Sequence, residues 1–406
     1  MLNTVMKPFK KLLKFEEARK IILSEVSPIE RKETIPLIQA ERRVLAENII
    51  SSRDIPPFSR ASMDGYAVKA GDTFAATRTS PVCLFLERKI FAGEVGEVYL
   101  EKGKCMEIAT GAPIPPGSDA VVMVENTRKK GNKVAILKPV YPGENIAVKG
   151  EDIKKDERVL RKGDFLIPAK IGVIAALGID RVTVYQSPRI LLIPTGGEIV
   201  PPGRELKPGQ IYDINSYTLS SLIRECSGEV RCLPPLPDEE SSFEKVIPLF
   251  PEYDLVIFTG GSSVGERDLL PRLFSSEEGE IIFHGIQIKP GKPVLFGKFA
   301  GKPVLGIPGY PASCLTAGYL LLKPVIEKMA QRKFHRIKIR VKMAETYFSS
   351  LGRHQFLPVR VENNIAYTVF KESGDITSLS RADGYIQIPE NQEIVEEGDE
   401  VEVTLW

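Results

Sequence analysis

Residues 254–270, DLVIFTGGSSVGERDLL, restrict what this chain can become more than any other segment. Leu255, Val256, Ile257 and Phe258 form a short apolar run between turn residues, the pattern of a strand buried on both faces. Thr259, Gly260, Gly261, Ser262, Ser263, Val264 and Gly265 follow as a loop. From about Glu266 the spacing of Leu269, Leu270, Leu273 and Phe274 predicts a helix. A strand, a glycine-rich turn and a helix start present free backbone N–H groups at the carboxyl end of a sheet, which suits an anion such as phosphate. The turn lacks the closing Gly-Lys-Ser/Thr of a P-loop and the spacing of G-x-G-x-x-G. Taken alone, it divides evenly between an anion cradle and a tight turn whose glycines serve geometry only.

The rest of residues 187–330 repeats the alternation. RILLIPTGGE runs a strand into a second glycine turn, Thr195-Gly196-Gly197-Glu198. Helices are predicted over 214–226 and 238–250, and strands at EVRCL, 281–283, 293–296 and 303–307. PGYPAS then opens a long apolar helix to about residue 329. Strands alternating with helices imply a parallel sheet with helices on both faces. Ligands on such sheets sit beyond the carboxyl ends of the strands, where both glycine turns fall.

Upstream, residues 15–26 are predicted as an amphipathic helix with Phe15, Ala18, Ile22 and Val26 on one face, within an N-terminal segment 1–27 that packs on the α/β domain. Residues 54–148 read as an inserted all-β module: Val82, Leu84 and Leu86 alternate, and Gly93, Gly96 and Gly103 punctuate. Within it, IATGAPIPPGSDAVV at 108–122 is a stiff loop, either a staple of the fold or a ligand wall. Residues 28–53 and 149–186 form the two halves of a small discontinuous domain, and 331–406 a separate C-terminal β domain. The expected fold class is therefore multidomain α/β: a central doubly wound, mostly parallel sheet with an inserted β module and a C-terminal β domain.

A length of 406 residues asks for two to four domains. With 55 basic and 53 acidic side chains the net charge is only +2, so no global case for nucleic acid arises. No apolar run reaches 18 residues and no signal-type leader is present, which leads us to expect a cytoplasmic protein without a membrane partner. The five cysteines include no C-x-x-C pair and are expected as buried free thiols. Three widely spaced histidines make a zinc site or a Ser-His triad improbable.

Seven blocks, PPFSRASMDGYAV, IATGAPIPPGSDAVV, KGEDI, PTGGEIV with IYDIN, DLVIFTGGSSVGERD, IKPGKPVLFG and GIPGYPAS, occur in one order across roughly residues 53–313. Together they resemble the MoeA and gephyrin E-domain family of molybdopterin molybdenumtransferases. The resemblance implies four domains, one discontinuous, and an elongated homodimer with sites between subunits. It also implies insertion of molybdate, or tungstate, into adenylylated molybdopterin with Mg²⁺ and release of AMP. Carried over residue by residue, the functional carboxylates are Asp64, Asp152, Glu198, Asp238 and Asp268, with Thr110 beside them; Asp238 lies in the loosest match. Glu198 and Asp268, each just after a glycine turn, are expected to be metal-linked, and Asp64 and Asp152 to position molybdate or activate the substrate.

Substrate and cofactor are expected at Gly196, Gly197, Thr259, Gly260, Gly261, Ser262, Ser263 and Gly265, whose N–H groups cradle phosphate, and at Lys289 and Lys292, ammonium groups flanking a proline–glycine turn. Pro308 and Pro311 shape a further loop at a helix start. Arg353 and Ser378 resemble positions that reach the partner subunit's site. Ser59-Arg60 and Tyr310 depart from the family, where an Asp-Asn pair and an Asn are common; the tyrosine adds an aromatic face that can stack on a ring. Expected partners are a second copy, the molybdopterin-adenylating enzyme and acceptors of the cofactor. The alternative activity is that of a molybdopterin adenylyltransferase, whose fold the 187–330 module resembles. The alternative class is a non-catalytic carrier or scaffold.

Overall fold

The computed structural model describes residues 12–94, 98–261, 270–274, 276–332, 336–369 and 375–406. The chain divides into two compact units, one of Met1–Thr34, Arg42–Ala46 and Thr183–Trp406, the other of Ile35–Glu41 and Glu47–Val182.

The first unit is built on a six-stranded sheet in the order Glu229–Cys232, Arg189–Pro194, Leu255–Thr259, Lys302–Ile307, Leu295–Phe299, Gly279–His284. The first four strands are parallel and the last two antiparallel. Every residue of Leu255–Thr259 is buried, as a strand covered on both faces requires. Successive side chains point to opposite faces, so Leu255 and Ile257 enter one core while Val256 and Phe258 enter the other. The first core is closed by the helix Asn215–Glu225, by Phe15–Glu25 and by a helical stretch from Pro311 to Met329. That stretch relaxes into a π-turn at Gly318–Leu322, just before Pro324, whose ring nitrogen cannot supply a helical N–H. On the second face, Phe258 stacks on Phe243 at 5.3 Å and meets Phe250 edge-on at 6.3 Å. Phe15, Ala18, Ile22 and Val26 are all buried, as the helical period predicts.

The C-terminal strands of this unit close into a ring. His354–Glu362 pairs with Ile365–Thr368, which pairs with Lys338–Met343, then Glu400–Leu405, then Gly384–Ile388, which returns to His354–Glu362. Closure removes free sheet edges and encloses Val341, Leu357, Val359, Ile386 and Val403. The short strand Ile288–Lys289 pairs onto the His354 end of this ring.

The second unit carries another six-stranded sheet, ordered Ala120–Met123, Gly65–Val68, Lys104–Ile108, Val82–Ile90, Lys133–Ile136, Thr127–Lys130. It too has a core on each face, with Tyr66 and Val68 on one side and Ala67 on the other. The chain enters and leaves this sheet side by side: Ile49–Ile50 pairs with Arg158–Leu160, and Arg60–Ala61 with Ile146–Ala147. The helix Pro168–Ala176 has proline in its first turn, and Gly178, with φ of 76°, ends it.

All five cysteines are free thiols. Cys105, Cys226 and Cys314 are buried as expected, but Cys83 and Cys232 are exposed. Phe258 is fully buried on a strand covered on both faces, so Phe258→Ala is expected to cost about 3–5 kcal/mol. Urea unfolding of the variant, followed by circular dichroism, measures the loss.

Candidate functional site

At the carboxyl end of the parallel strands, the two glycine turns are locked together. Thr195 donates from its N–H to the Thr259 carbonyl at 2.9 Å and from its Oγ1 to the same oxygen at 3.2 Å. Gly260, at φ of 88°, then passes so close that a Cβ there would lie 2.7 Å from the Thr195 carbonyl oxygen. No other residue fits that approach. Gly260 N–H bonds the Ile307 carbonyl at 3.0 Å, which holds the turn beside the Pro308–Pro311 loop. Asn215 Nδ2 donates to the Gly309 carbonyl at 2.8 Å and fixes that loop from the other side. Among the described residues, Thr259 Oγ1 and Asn215 Oδ1 are buried without hydrogen-bond partners. Asn215 escaped the sequence reading because its partner lies 94 positions away. The IYDIN block contains it, yet nothing in its spacing points to Gly309.

Glu198 lies over this end of the sheet. A Cβ at Gly196 would meet both Glu198 carboxylate oxygens at 3.0 Å, so the missing side chain leaves the room that the carboxylate uses. Gly197 and Glu198 are exposed. Gly196 N–H bonds the Leu236 carbonyl, which carries the chain on to the exposed Asp238. Ser262, Ser263, Gly265 and Asp268 lie outside the described residues.

Lys289 and Lys292 are half-buried around Gly291, whose φ is 112°. Lys289 Nζ donates to Ser350 Oγ at 2.8 Å, which places it next to the loop that bears the exposed Arg353. Ser378 lies in the short helix Ile376–Ser380, which packs on Pro311–Ala317, and it is only 1% exposed. Pro308 is buried, Pro311 opens its helix, and Tyr310 between them is 68% exposed.

In the second unit, two loops are stitched to the segment 55–62. Gly111 N–H bonds the Ala61 carbonyl at 2.8 Å and Ala61 N–H bonds that of Ala112 at 2.9 Å. Asp152 N–H bonds the Ile55 carbonyl at 3.0 Å, and Lys149 N–H bonds Ser59 Oγ at 3.1 Å. Ser59 thus anchors the loop leading to Asp152. Asp64 and Thr110 meet directly: Asp64 Oδ1 accepts the Thr110 N–H at 2.7 Å and its hydroxyl at 3.0 Å. The backbone N–H, then the hydroxyl, and more weakly Lys89 hold the Asp64 carboxyl below its ordinary value of 3.8. Asp152 is exposed.

Among the described residues, no three His, Cys, Asp or Glu side chains are grouped as for a metal ion. No helix among them is long and apolar enough to cross a membrane.

The MoeA N-terminal region (domain I and II) matches residues 13–178, a probable molybdopterin binding domain matches 192–328, and the MoeA C-terminal region (domain IV) matches 340–406. A putative molybdopterin biosynthesis protein of Methanocaldococcus jannaschii is 34% identical over 98% of this chain and 100% of its own. A molybdopterin molybdenumtransferase of Haemophilus influenzae is 37% identical over 79% of each. The crystal structure of the molybdopterin biosynthesis MoeA protein of Pyrococcus horikoshii OT3 is 37% identical, with a TM-score of 0.82 over 98% of this chain and 100% of that one.

A carboxyl held low is ionised at neutral pH and loses its two bonds only as pH falls through the lowered pKa. Thr110→Val removes the hydroxyl and keeps the backbone donor. The Asp64 midpoint is expected to rise toward 3.8 yet stay below it. A carboxyl-carbon NMR titration measures it, and an unmoved midpoint contradicts the pairing.

Proposed function

The chain belongs to the MoeA family, and from that premise we propose that it inserts molybdate, or tungstate, into adenylylated molybdopterin and releases AMP. The observation that carries the reading is the locked pair of glycine turns with the Glu198 carboxylate beside them. The turns lie at the carboxyl end of a parallel sheet, where phosphate is bound in such folds, but the N–H groups of Gly196 and Gly260 are spent on the Leu236 and Ile307 carbonyls, which leaves phosphate contacts to the turn residues beyond them. A lone carboxylate there repels a phosphate unless a cation lies between them. Mg²⁺ is commonly held by one or two carboxylates plus phosphate oxygens, so a sparse acidic set fits it better than a dedicated cage. Glu198, with Asp268, would hold the ion, which when bound offsets phosphate charge in the step that frees AMP.

The remaining roles fall to side chains. Lys289 and Lys292 supply positive charge to oxyanion or phosphate oxygens, with Arg353 on the loop whose Ser350 accepts from Lys289. Asp64, ionised and oriented by Thr110, and the exposed Asp152 orient the oxyanion or activate the substrate. Asp238 follows the arm that bonds to Gly196. The four-domain layout, the homodimer and the cytoplasmic setting belong to this same proposal. So do the molybdopterin-adenylating enzyme and the acceptors of the cofactor as partners.

The test is AMP release from adenylylated molybdopterin with molybdate and with tungstate, across a Mg²⁺ series that includes chelator. Plain molybdopterin with ATP, run in parallel, exposes adenylylation instead. Tight binding without release marks a carrier. Glu198→Gln and Asp268→Asn keep size and remove charge, and each is expected to slow AMP release on the order of 100-fold. Thermal melts of the same preparations should match the unaltered protein; a destabilised but fully active variant refutes the metal role. Sedimentation is expected to give a dimer, and a fully active monomer overturns that part.

A further inference from the structure

The block Lys149-Gly150-Glu151-Asp152-Ile153 carries two adjacent acids, and the fold treats them differently. Glu151 N–H bonds the Val148 carbonyl at 3.0 Å and closes a turn whose third residue is Gly150, at φ of 71°, a backbone state that glycine adopts without strain. Glu151 Oε2 accepts the Val148 N–H at 2.9 Å, so this carboxylate is engaged within its own turn. Ile153 is buried and exchanges backbone bonds of 2.7 Å and 3.1 Å with Ile55. Asp152 lies between the two and is exposed. Its place depends on what holds the loop at either end.

One side chain reaches both ends. Asp54 is half-buried and precedes Ile55 on the facing segment. Its Oδ1 accepts the Lys155 N–H at 2.9 Å, and its Oδ2 lies 3.5 Å from Lys149 Nζ. Gly150 runs against the same group: a Cβ there would lie 3.2 Å from Asp54 Oδ1 and 3.3 Å from its Cγ. The carboxylate therefore ties residue 149 to residue 155, with Asp152 in between. The Lys155 N–H, opposed by partial burial and aided by Lys149, holds the Asp54 carboxyl below its ordinary value of 3.8, so both contacts persist at neutral pH.

The two contacts are unequal. The Lys149 side chain is 58% exposed, and exposed ion pairs contribute little. A backbone N–H bonded to an ionised acceptor is the stronger tie. Backbone bonds from Gly150 to Pro56 and from Asp152 to Ile55, both 3.0 Å, hold the middle of the loop, and Asp54 holds its two ends. For a group that must meet a reacting atom, a displacement on the order of 1 Å can cost about 100-fold in rate.

We propose that Asp54 is a positioning residue: it clamps the loop 149–155 so that the Asp152 carboxylate keeps a fixed place for the reaction. Asp54 acts through Asp152 and touches no substrate itself. The proposal rests on the role given above to Asp152.

The test is a double-mutant cycle in the AMP-release assay on the full chain. Asp54→Ala is expected to slow release about tenfold. Asp54→Asn keeps an oxygen for the Lys155 N–H and is expected to stay within about threefold of the unaltered protein. In an Asp152→Asn background, Asp54→Ala is expected to add less than about a twofold loss, because the group it positions has already lost its charge. An equal loss in both backgrounds marks a general defect and overturns the proposal, as does a full rate in Asp54→Ala. Where the alanine variant folds poorly, Asp54→Ser carries the same cycle. Amide hydrogen exchange of the peptide 148–156, read by mass spectrometry, reports on the loop without activity. Exchange there is expected to quicken about tenfold in Asp54→Ala. Unchanged exchange overturns the clamp whatever the rates. Quickened exchange together with a full rate of AMP release in Asp152→Asn upholds the clamp and overturns the role given to Asp152.

Discussion

Two backbone segments can approach as closely as Thr195 and Gly260 do only where one lacks a β-carbon. The strands that deliver them, Arg189–Pro194 and Leu255–Thr259, run parallel with Ile190 opposite Leu255 and Pro194 opposite Thr259. Register therefore brings both strand ends to one level, and the next residue of each must turn away from the sheet. Gly260 does so against the Thr195 carbonyl, and the Ile307 carbonyl receives its N–H from the other neighbouring strand. Three loops are thereby packed chiefly by main chain, with Thr195 Oγ1 and Asn215 Nδ2 adding side-chain bonds, while Glu198 and Tyr310 stay outside the packing and exposed.

The second unit reaches a similar result by other means. Prolines stiffen the loop after Ile108, and backbone bonds to Ser59 and Ala61 hold it in place. Asp64, Asp152 and Glu198 all remain at the surface, where an ionised carboxylate keeps its hydration and costs little to hold. The fold thus fixes the carriers of charge while leaving the charges accessible.

Much of this was legible because local patterns and tertiary structure agree. An unbroken apolar run of four at 255–258 could only be covered on both faces, and Phe15, Ala18, Ile22 and Val26 could only share a helical stripe. Glycine pairs after two such strands pointed to the strand ends. What escaped depends on pairs far apart in sequence. Neither Asn215 nor Gly309 signals the other. The short apolar runs at 281–283 and 293–296 read as strands but carry no sign of direction, and these proved to form the antiparallel edge of the sheet. Ring closure of the C-terminal strands is equally invisible, since it is a property of pairing order. The two exposed cysteines differ from the three buried ones only in where the fold leaves them.

The helix Phe15–Glu25 packs through Phe15 on His354 at 5.2 Å and on Phe356 at 5.0 Å between ring centroids. During synthesis the helix emerges well before these partners, and the chain must then lengthen by roughly 340 residues, on the order of tens of seconds at about 5–20 residues per second. Throughout that interval Phe15, Ala18 and Ile22 form an apolar stripe without its native cover, while the unit completed by Val182 has all of its own residues in hand. The nascent chain thus carries an uncovered apolar stripe upstream of a unit whose residues have all been made.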